Sequence, residues 1–262
     1  MANADKIKRA VIKVGTSTLT YEGGRLNIRR IEKLVKTIAD IRNSGIEVVL
    51  VSSGAIGVGM GKAGIAKRPD CTREKQALAA IGQCELMNFY STIFENYSHT
   101  VAQILLTRDV TDKEQMRTNA KNTFEMLFSL NAIPIVNEND TISTEQIEFG
   151  DNDTLSAIVA ELVGADLLVL LSDIDGLYDK DPHKFDDARI IDEVAEITDD
   201  IHALAGGTGT SRGTGGMVTK IAAAETATNA GVDMIITNGA DPDILYDIFD
   251  GKKVGTLFRK KI

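Results

Sequence analysis

The chain has 262 residues, 43% of them hydrophobic and 26% charged, with a net charge of −9. That length can bury a substantial core in one large α/β domain or two small ones, and this composition excludes a disordered chain. The acidic balance, with no Lys/Arg cluster beyond the short ends KIKR and RKKI, argues against a nucleic-acid surface, and no run of about 18 apolar residues suggests a membrane span.

The N-terminal stretch MANADKIKRAVIKV contains no apolar segment long enough for a signal peptide, so a reducing cytoplasm is the expected compartment. RAVIKV (9–14) reads as a first strand. Lys13 is unusual there, because burying an unpaired ammonium is costly; it needs an anionic partner, or it lies at the strand end and reaches water. Gly15 and Thr16 offer backbone N–H and hydroxyl donors to a phosphate. Helical spacing follows over 27–44, with Asn27 as a cap, and then a second strand, IEVVLV (46–51). Beyond it Ser53, Gly54 and Ala55 fit a tight turn into a helix whose first amides can bind an anion. Residues 59–64, GMGKAG, formally match the dinucleotide fingerprint G-x-G-x-x-G, but they stand too far past the strand; close helix packing explains those glycines as well.

A helix is predicted over 72–97, beside or within which lie Cys71 and Cys84. Neither these cysteines nor the scattered His99, His183 and His202 have the spacing of a disulfide framework or a zinc site. TVAQILL (100–106), a helix over 117–131 and the strand IPIVN (133–137) come next. NENDTIS at that strand's end, followed by GDND, brings Asp140, Asp151, Asn152 and Asp153 within plausible reach of one another across a hairpin-like segment; a polar loop with an N-cap at Asp151 or Asn152 is the plainer alternative. After a helix over 153–164, the strand DLLVLL (166–171) is closed by Ser172 and Asp173, in a run that fits a calcium loop poorly.

The glycine-rich island 205–217 is either a flexible linker or a ligand loop. Its end, GTGGMVTK (Gly213 to Lys220), lacks P-loop spacing, yet glycine amides can wrap phosphate oxygens, and Lys220, one turn into a helix over 216–230, can supply a cation. VDMIIT (232–237), a helix over 241–249 with Asp241 as cap candidate, and KVGTLF (253–258) as a possible edge strand complete the chain. Near-continuous apolar strands alternating with helices predict a three-layer α/β/α sandwich with a mostly parallel central sheet, whose ligands lie beyond the carboxyl ends of the strands.

The ordered set VIKVGTS, VSSGAIGVG, NEND, FGDND, LLSDIDGLYDKDP and GTGGMVTK resembles the amino-acid kinase family, and specifically its glutamate-phosphorylating branch, over about residues 9 to 258. The resemblance implies ATP-dependent phosphorylation of the γ-carboxylate of L-glutamate, the first step of proline biosynthesis. It implies catalytic roles for Lys13, Lys220 and Asp153, with the aspartate orienting the two lysines. ATP is expected at Lys13, Gly15, Ser172, Asp173, Thr214, Gly215, Gly216, Met217 and Lys220. Glutamate is expected at Ser53, Gly54, Ala55, Asp140 and Asn152, with Asp140 pairing with its ammonium. A reacting carboxylate is already ionised at neutral pH, so no general base is needed.

The resemblance further implies magnesium carried with the nucleotide rather than a permanent metal site, a homo-oligomer, and proline as a feedback inhibitor acting near 141–151. Many family members carry a C-terminal PUA domain, and this chain stops at KKI before one could begin. One kinase domain over 1–262 is therefore expected, mainly substrate-binding to about 165 and mainly nucleotide-binding from about 166. Two alternatives stay open: a sibling kinase acting on aspartate, N-acetylglutamate or carbamate, and a catalytically silent amino-acid or nucleotide sensor of the same fold.

Overall fold

The computed structural model describes residues 7–107, 109–142, 152–182, 184–206 and 216–261. Among these residues eight strands form one sheet: β1 (Arg9–Val14), β2 (Glu47–Ser52), β3 (Val101–Leu106), β4 (Ile133–Glu138), β5 (Leu167–Ser172), β6 (Glu193–Val194), β7 (Asp233–Asn238) and β8 (Thr256–Phe258), in the order β3-β4-β2-β1-β5-β7-β8-β6. Pairing is parallel from β3 across to β7; β8 runs antiparallel to β7, and β6 pairs parallel with β8. Val14 registers with both Ser52 and Leu171, and Ser172 with Asn238, so the carboxyl ends of β2, β1, β5 and β7 share one edge of the sheet.

The helices are α1 (Thr16–Leu19), α2 (Ile28–Asn43), α3 (Ala55–Ala63), α4 (Thr72–Glu95), α5 (Asp109–Asp112), α6 (Glu114–Ser129), α7 (Asp153–Val163), α8 (Asp199–Gly206), α9 (Met217–Asn229) and α10 (Ile244–Phe249). One core joins Ile12, Val14 and Leu50 to Leu34 of α2, Leu86 of α4 and Leu245 of α10; the other joins Val11, Val49 and Val51 to Phe124 of α6, Leu155 of α7 and Ile221 of α9. Strand residues two apart share a face, so Lys13 follows Val11 onto the side of α7 and α9.

The predicted central strands stand within one residue of their observed bounds. The C-terminal end differs. Only Thr256–Phe258 of KVGTLF is extended, and it is covered by β6, a two-residue edge strand too short to leave an apolar run in the sequence. Asn27 caps α2, accepting from the Arg30 N–H at 3.2 Å. Asp241 instead accepts from the Asp243 N–H at 3.0 Å, closing a turn before α10 begins at Ile244. Among the described residues no helix is long and apolar enough to cross a membrane.

The glycines of the false dinucleotide fingerprint are packing residues. A Cβ on Gly59 would lie 1.9 Å from the Leu78 carbonyl oxygen, and one on Gly82 would lie 1.8 Å from that of Ala55. Helices α3 and α4 therefore meet backbone to backbone, and Gly82→Ala is expected to cost about 1–3 kcal/mol as an overpacked contact. The shift of the urea unfolding midpoint measures it; an unchanged midpoint would mean that α4 can move away freely.

Candidate active site

The sheet edge formed by the carboxyl ends of the strands is where a parallel α/β fold leaves a crevice. Three charged side chains converge behind it. Asp153 opens α7 and is fully buried, with its carboxylate in the first turn, where the helix dipole favours negative charge. Lys13 Nζ from β1 lies 2.5 Å from its Oδ1, and Lys220 Nζ from α9 lies 3.0 Å from its Oδ2. Lys13 and Lys220 are only 6% and 5% exposed, so water screens this arrangement weakly. Counting these three groups alone, two positive charges share one negative. Thr219 Oγ places a hydroxyl 3.4 Å from the same Oδ2 while donating to the Gly216 carbonyl at 2.8 Å, tying the start of α9 to the cluster.

The neighbouring residue builds a second, neutral arrangement. Asn152 occupies the N-cap position of α7 without making a side-chain cap bond. Its Nδ2 instead donates toward the Ser52 carbonyl (3.0 Å), Ser53 Oγ (3.2 Å) and Asn137 Oδ1 (2.8 Å). This explains why polar groups crowd the end of β4 and the start of α7: Asp153 serves the lysines, and Asn152 serves the end of β2. Ser53 is anchored by its N–H to the Val14 carbonyl at 3.1 Å, and Gly54, at φ +95°, makes the left-handed turn that starts α3 at Ala55. Asp140 lies in the turn after β4; burial pushes its carboxyl up to about 6, an effect that the charge of Arg68 opposes.

The other residues singled out in the sequence fall along the same edge. Gly15 caps α1 directly after β1, Ser172 ends β5 with its hydroxyl donating to Asp173 at 3.1 Å, and Gly216 and Met217 start α9. Thr214 and Gly215, like Asp151 and His183, lie outside the described residues. Ser172 and Asp173 are not part of the lysine cluster; they belong to the rim toward β7, where the Gly239 N–H donates to the Ser172 carbonyl at 2.8 Å. Sequence reasoning took in Thr219 only as part of GTGGMVTK and passed over Asn137 and Gln83 as site residues. Asn137, only 2% exposed at the end of β4, was visible as the first residue of the polar run. Gln83 of α4, whose Oε1 accepts from Asn137 Nδ2 at 2.8 Å, carried no signal, because one polar residue in a helix reads as a solvated position.

Residues 8–238 match the model of the Amino acid kinase family. The chain belongs to this family. It is 58% identical to the glutamate 5-kinase of Clostridium perfringens over 97% of this chain and 96% of that one. Its identity to the glutamate 5-kinase of Listeria innocua is 55%, over 97% and 94% of the two chains. For that of Lactococcus lactis it is 49%, over 99% and 97%. Among solved structures, carbamate kinase from Giardia lamblia bound to AMP-PNP superposes with a TM-score of 0.67 at 19% identity, covering 98% of this chain and 99% of that one. UMP kinase from Bacillus anthracis does so with a TM-score of 0.66 at 17% identity, covering 98% and 97%. At these identities the two structures establish the amino-acid kinase fold and no more.

Proposed function

We propose that this chain transfers the γ-phosphoryl group of ATP to the γ-carboxylate of L-glutamate, giving L-glutamyl 5-phosphate and ADP, the first step of proline biosynthesis. The observation that carries the reading is Asp153 held between Lys13 and Lys220 beside the hydrogen-bonded Asn152 and Ser53, at the carboxyl edge of the sheet. The identity to glutamate 5-kinases over nearly the whole chain supports this substrate over its siblings.

In this mechanism a glutamate γ-carboxylate oxygen attacks the γ-phosphorus as the bond to the β-phosphate oxygen breaks, and no proton has to move. The obstacle is repulsion between two anions, about 4 kcal/mol for unit charges at 4 Å and an effective dielectric near 20. Lys13 and Lys220 oppose it, with Asp153 keeping both ammoniums aimed at the transferring group. Backbone amides near Gly15, Gly216 and Met217 hold phosphate oxygens, as the sequence leads one to expect of Thr214 and Gly215, and Ser172 and Asp173 face the nucleotide. Ser53, with Gly54 and Ala55 at the start of α3, and Asn152 hold the amino acid; Asp140 pairs with its ammonium. Residues to about 165 thus serve mainly glutamate, and those beyond mainly ATP. The carboxylate central to the cluster has a lysine on each oxygen, so it suits magnesium that arrives on the nucleotide rather than one caged by protein. Such an ion supplies further positive charge to the phosphate tail.

Incubation with Mg-ATP, hydroxylamine and, in separate reactions, glutamate, aspartate, N-acetylglutamate or carbamate tests the reading. Acyl phosphate trapped as hydroxamate with glutamate is the expected outcome. Product with a sibling substrate alone would reassign the acceptor, and none with any of the four would favour a sensor. Activity in a cytoplasmic homo-oligomer, inhibited by proline, belongs to the same proposal and is checked by light scattering and a proline titration.

Asp140 gives a pH test. Its carboxyl titrates near 6 because burial disfavours the charged form, and only the charged form pairs with an ammonium. kcat/KM for glutamate should therefore fall as pH drops through about 6, approaching tenfold per unit below it. Stability responds in the opposite sense. The folded state holds this proton more tightly, so its contribution is greatest below about 3.9 and is lost as pH rises through about 6. Asp140→Ala should chiefly raise KM for glutamate and abolish the acid limb; an unchanged KM removes Asp140 from this role.

A further inference from the structure

We infer that Gln83, acting through Asn137, is a positioning residue that holds the Asn152 amide in the orientation the backbone selects and thereby preserves the polarity of the surface offered to the amino acid. The inference rests on the reading of the pocket given above. It concerns three side chains in a row: Gln83 Oε1 accepts from Asn137 Nδ2, and Asn137 Oδ1 accepts from Asn152 Nδ2, each at 2.8 Å.

Backbone groups fix the sense of two members of this relay, Asn137 and Asn152. The Glu138 N–H, 2.8 Å from Asn137 Oδ1, can only donate, so the near atom of Asn137 is its oxygen and its NH₂ must face Gln83. The Ser52 carbonyl, 3.0 Å from Asn152 Nδ2, can only accept, so the near atom of Asn152 is its nitrogen. Two consequences follow for the pocket. Asn152 directs its NH₂ toward the protein, which reserves its Oδ1 as the acceptor for a ligand. Ser53 Oγ accepts from Asn152, which frees its O–H to donate. The acceptor suits an ammonium and the donor a carboxylate, the two charged groups of an α-amino acid.

Gln83 is the member of the relay that no backbone group fixes within this set. Without its oxygen, the NH₂ of Asn137, at 2% exposure, loses its acceptor, and rotation of that amide would set NH₂ against both Glu138 N–H and Asn152 Nδ2. Helix α4 can deliver Gln83 because the preceding Gly82 lets it close onto Ala55, directly after Ser53 and Gly54. Two turns further along the same helix, buried Tyr90 bonds Ser52 Oγ through its hydroxyl at 3.0 Å, a second tether from α4 to the end of β2.

The experiment compares Gln83→Leu, which removes the acceptor, with Gln83→Glu, which keeps an oxygen for Asn137, in steady-state hydroxamate assays with thermal midpoints read alongside. Gln83→Leu is expected to raise KM for glutamate on the order of tenfold and leave KM for ATP within about twofold, and Gln83→Glu is expected to restore most of the loss. Gln83→Ala takes the place of the leucine variant if that protein does not fold. An unchanged KM for glutamate overturns the inference, as does a rise in both KM values with a fall in midpoint, or a glutamate variant as impaired as the leucine one. Wild-type protein that forms no hydroxamate with glutamate overturns the proposed function instead, which keeps the two failures distinct.

Discussion

Asp153→Asn is expected to lower kcat by about 10²–10³ and to destabilise the fold by about 3–5 kcal/mol, the largest combined effect of any single change at the site. The asparagine has nearly the same shape, so the loss is electrostatic. Two ammoniums, held at 2.5 and 3.0 Å from carboxylate oxygens that belong to a fully buried residue, would face a neutral amide. Both lysines would then turn toward solvent, or the start of α9 would draw back from α7. Hydroxamate turnover measures the first quantity and urea unfolding the second. A variant with nearly wild-type kcat would mean that Asp153 is a structural ion-pair partner, and the assigned mechanism would be abandoned.

Lys220→Ala and Lys13→Ala are each expected to lower kcat by about 10²–10³ while costing less stability than Asp153→Asn. Removing one lysine leaves Asp153 paired with the other, whereas removing the aspartate leaves two like charges together. The rank order separates catalysis from folding: all three variants are slow, but Asp153→Asn unfolds first. Because Lys220 and Asp153 are in contact, the double variant should lose less than the product of the single losses. Near-wild-type turnover in either lysine variant, or losses that multiply fully, would contradict a shared role at the transferring phosphoryl group.

Much of this architecture was legible in the sequence because buried parallel strands must be apolar almost throughout, and short runs such as DLLVLL, alternating with longer helical patterns, fit that description. Lys13 was legible for the converse reason: a cation inside such a run requires an anion, and Asp153 is that anion. The alternative for Lys13, reaching water at the strand end, gives way to burial at 6% exposure. Illegible parts share a different character. β6 is two residues long and takes its extended form from pairing with β8. The antiparallel course of β8 is set by its docking on β7 rather than by its own residues. Gln83 is hydrogen-bonded to an asparagine 54 positions away, and local pattern carries no trace of that.

The distance along the chain between the clamp's members has a consequence for biosynthesis. Lys13 lies in the first strand to leave the ribosome, at the centre of the eventual sheet, while Lys220 belongs to the penultimate helix. A nascent polypeptide therefore carries Lys13 and Asp153 well before Lys220 is made. A product ending before α9 would lack Lys220 together with the core residues Ile221, Ala224 and Ala227, so it would lose one arm of the charge arrangement and part of the packing at once.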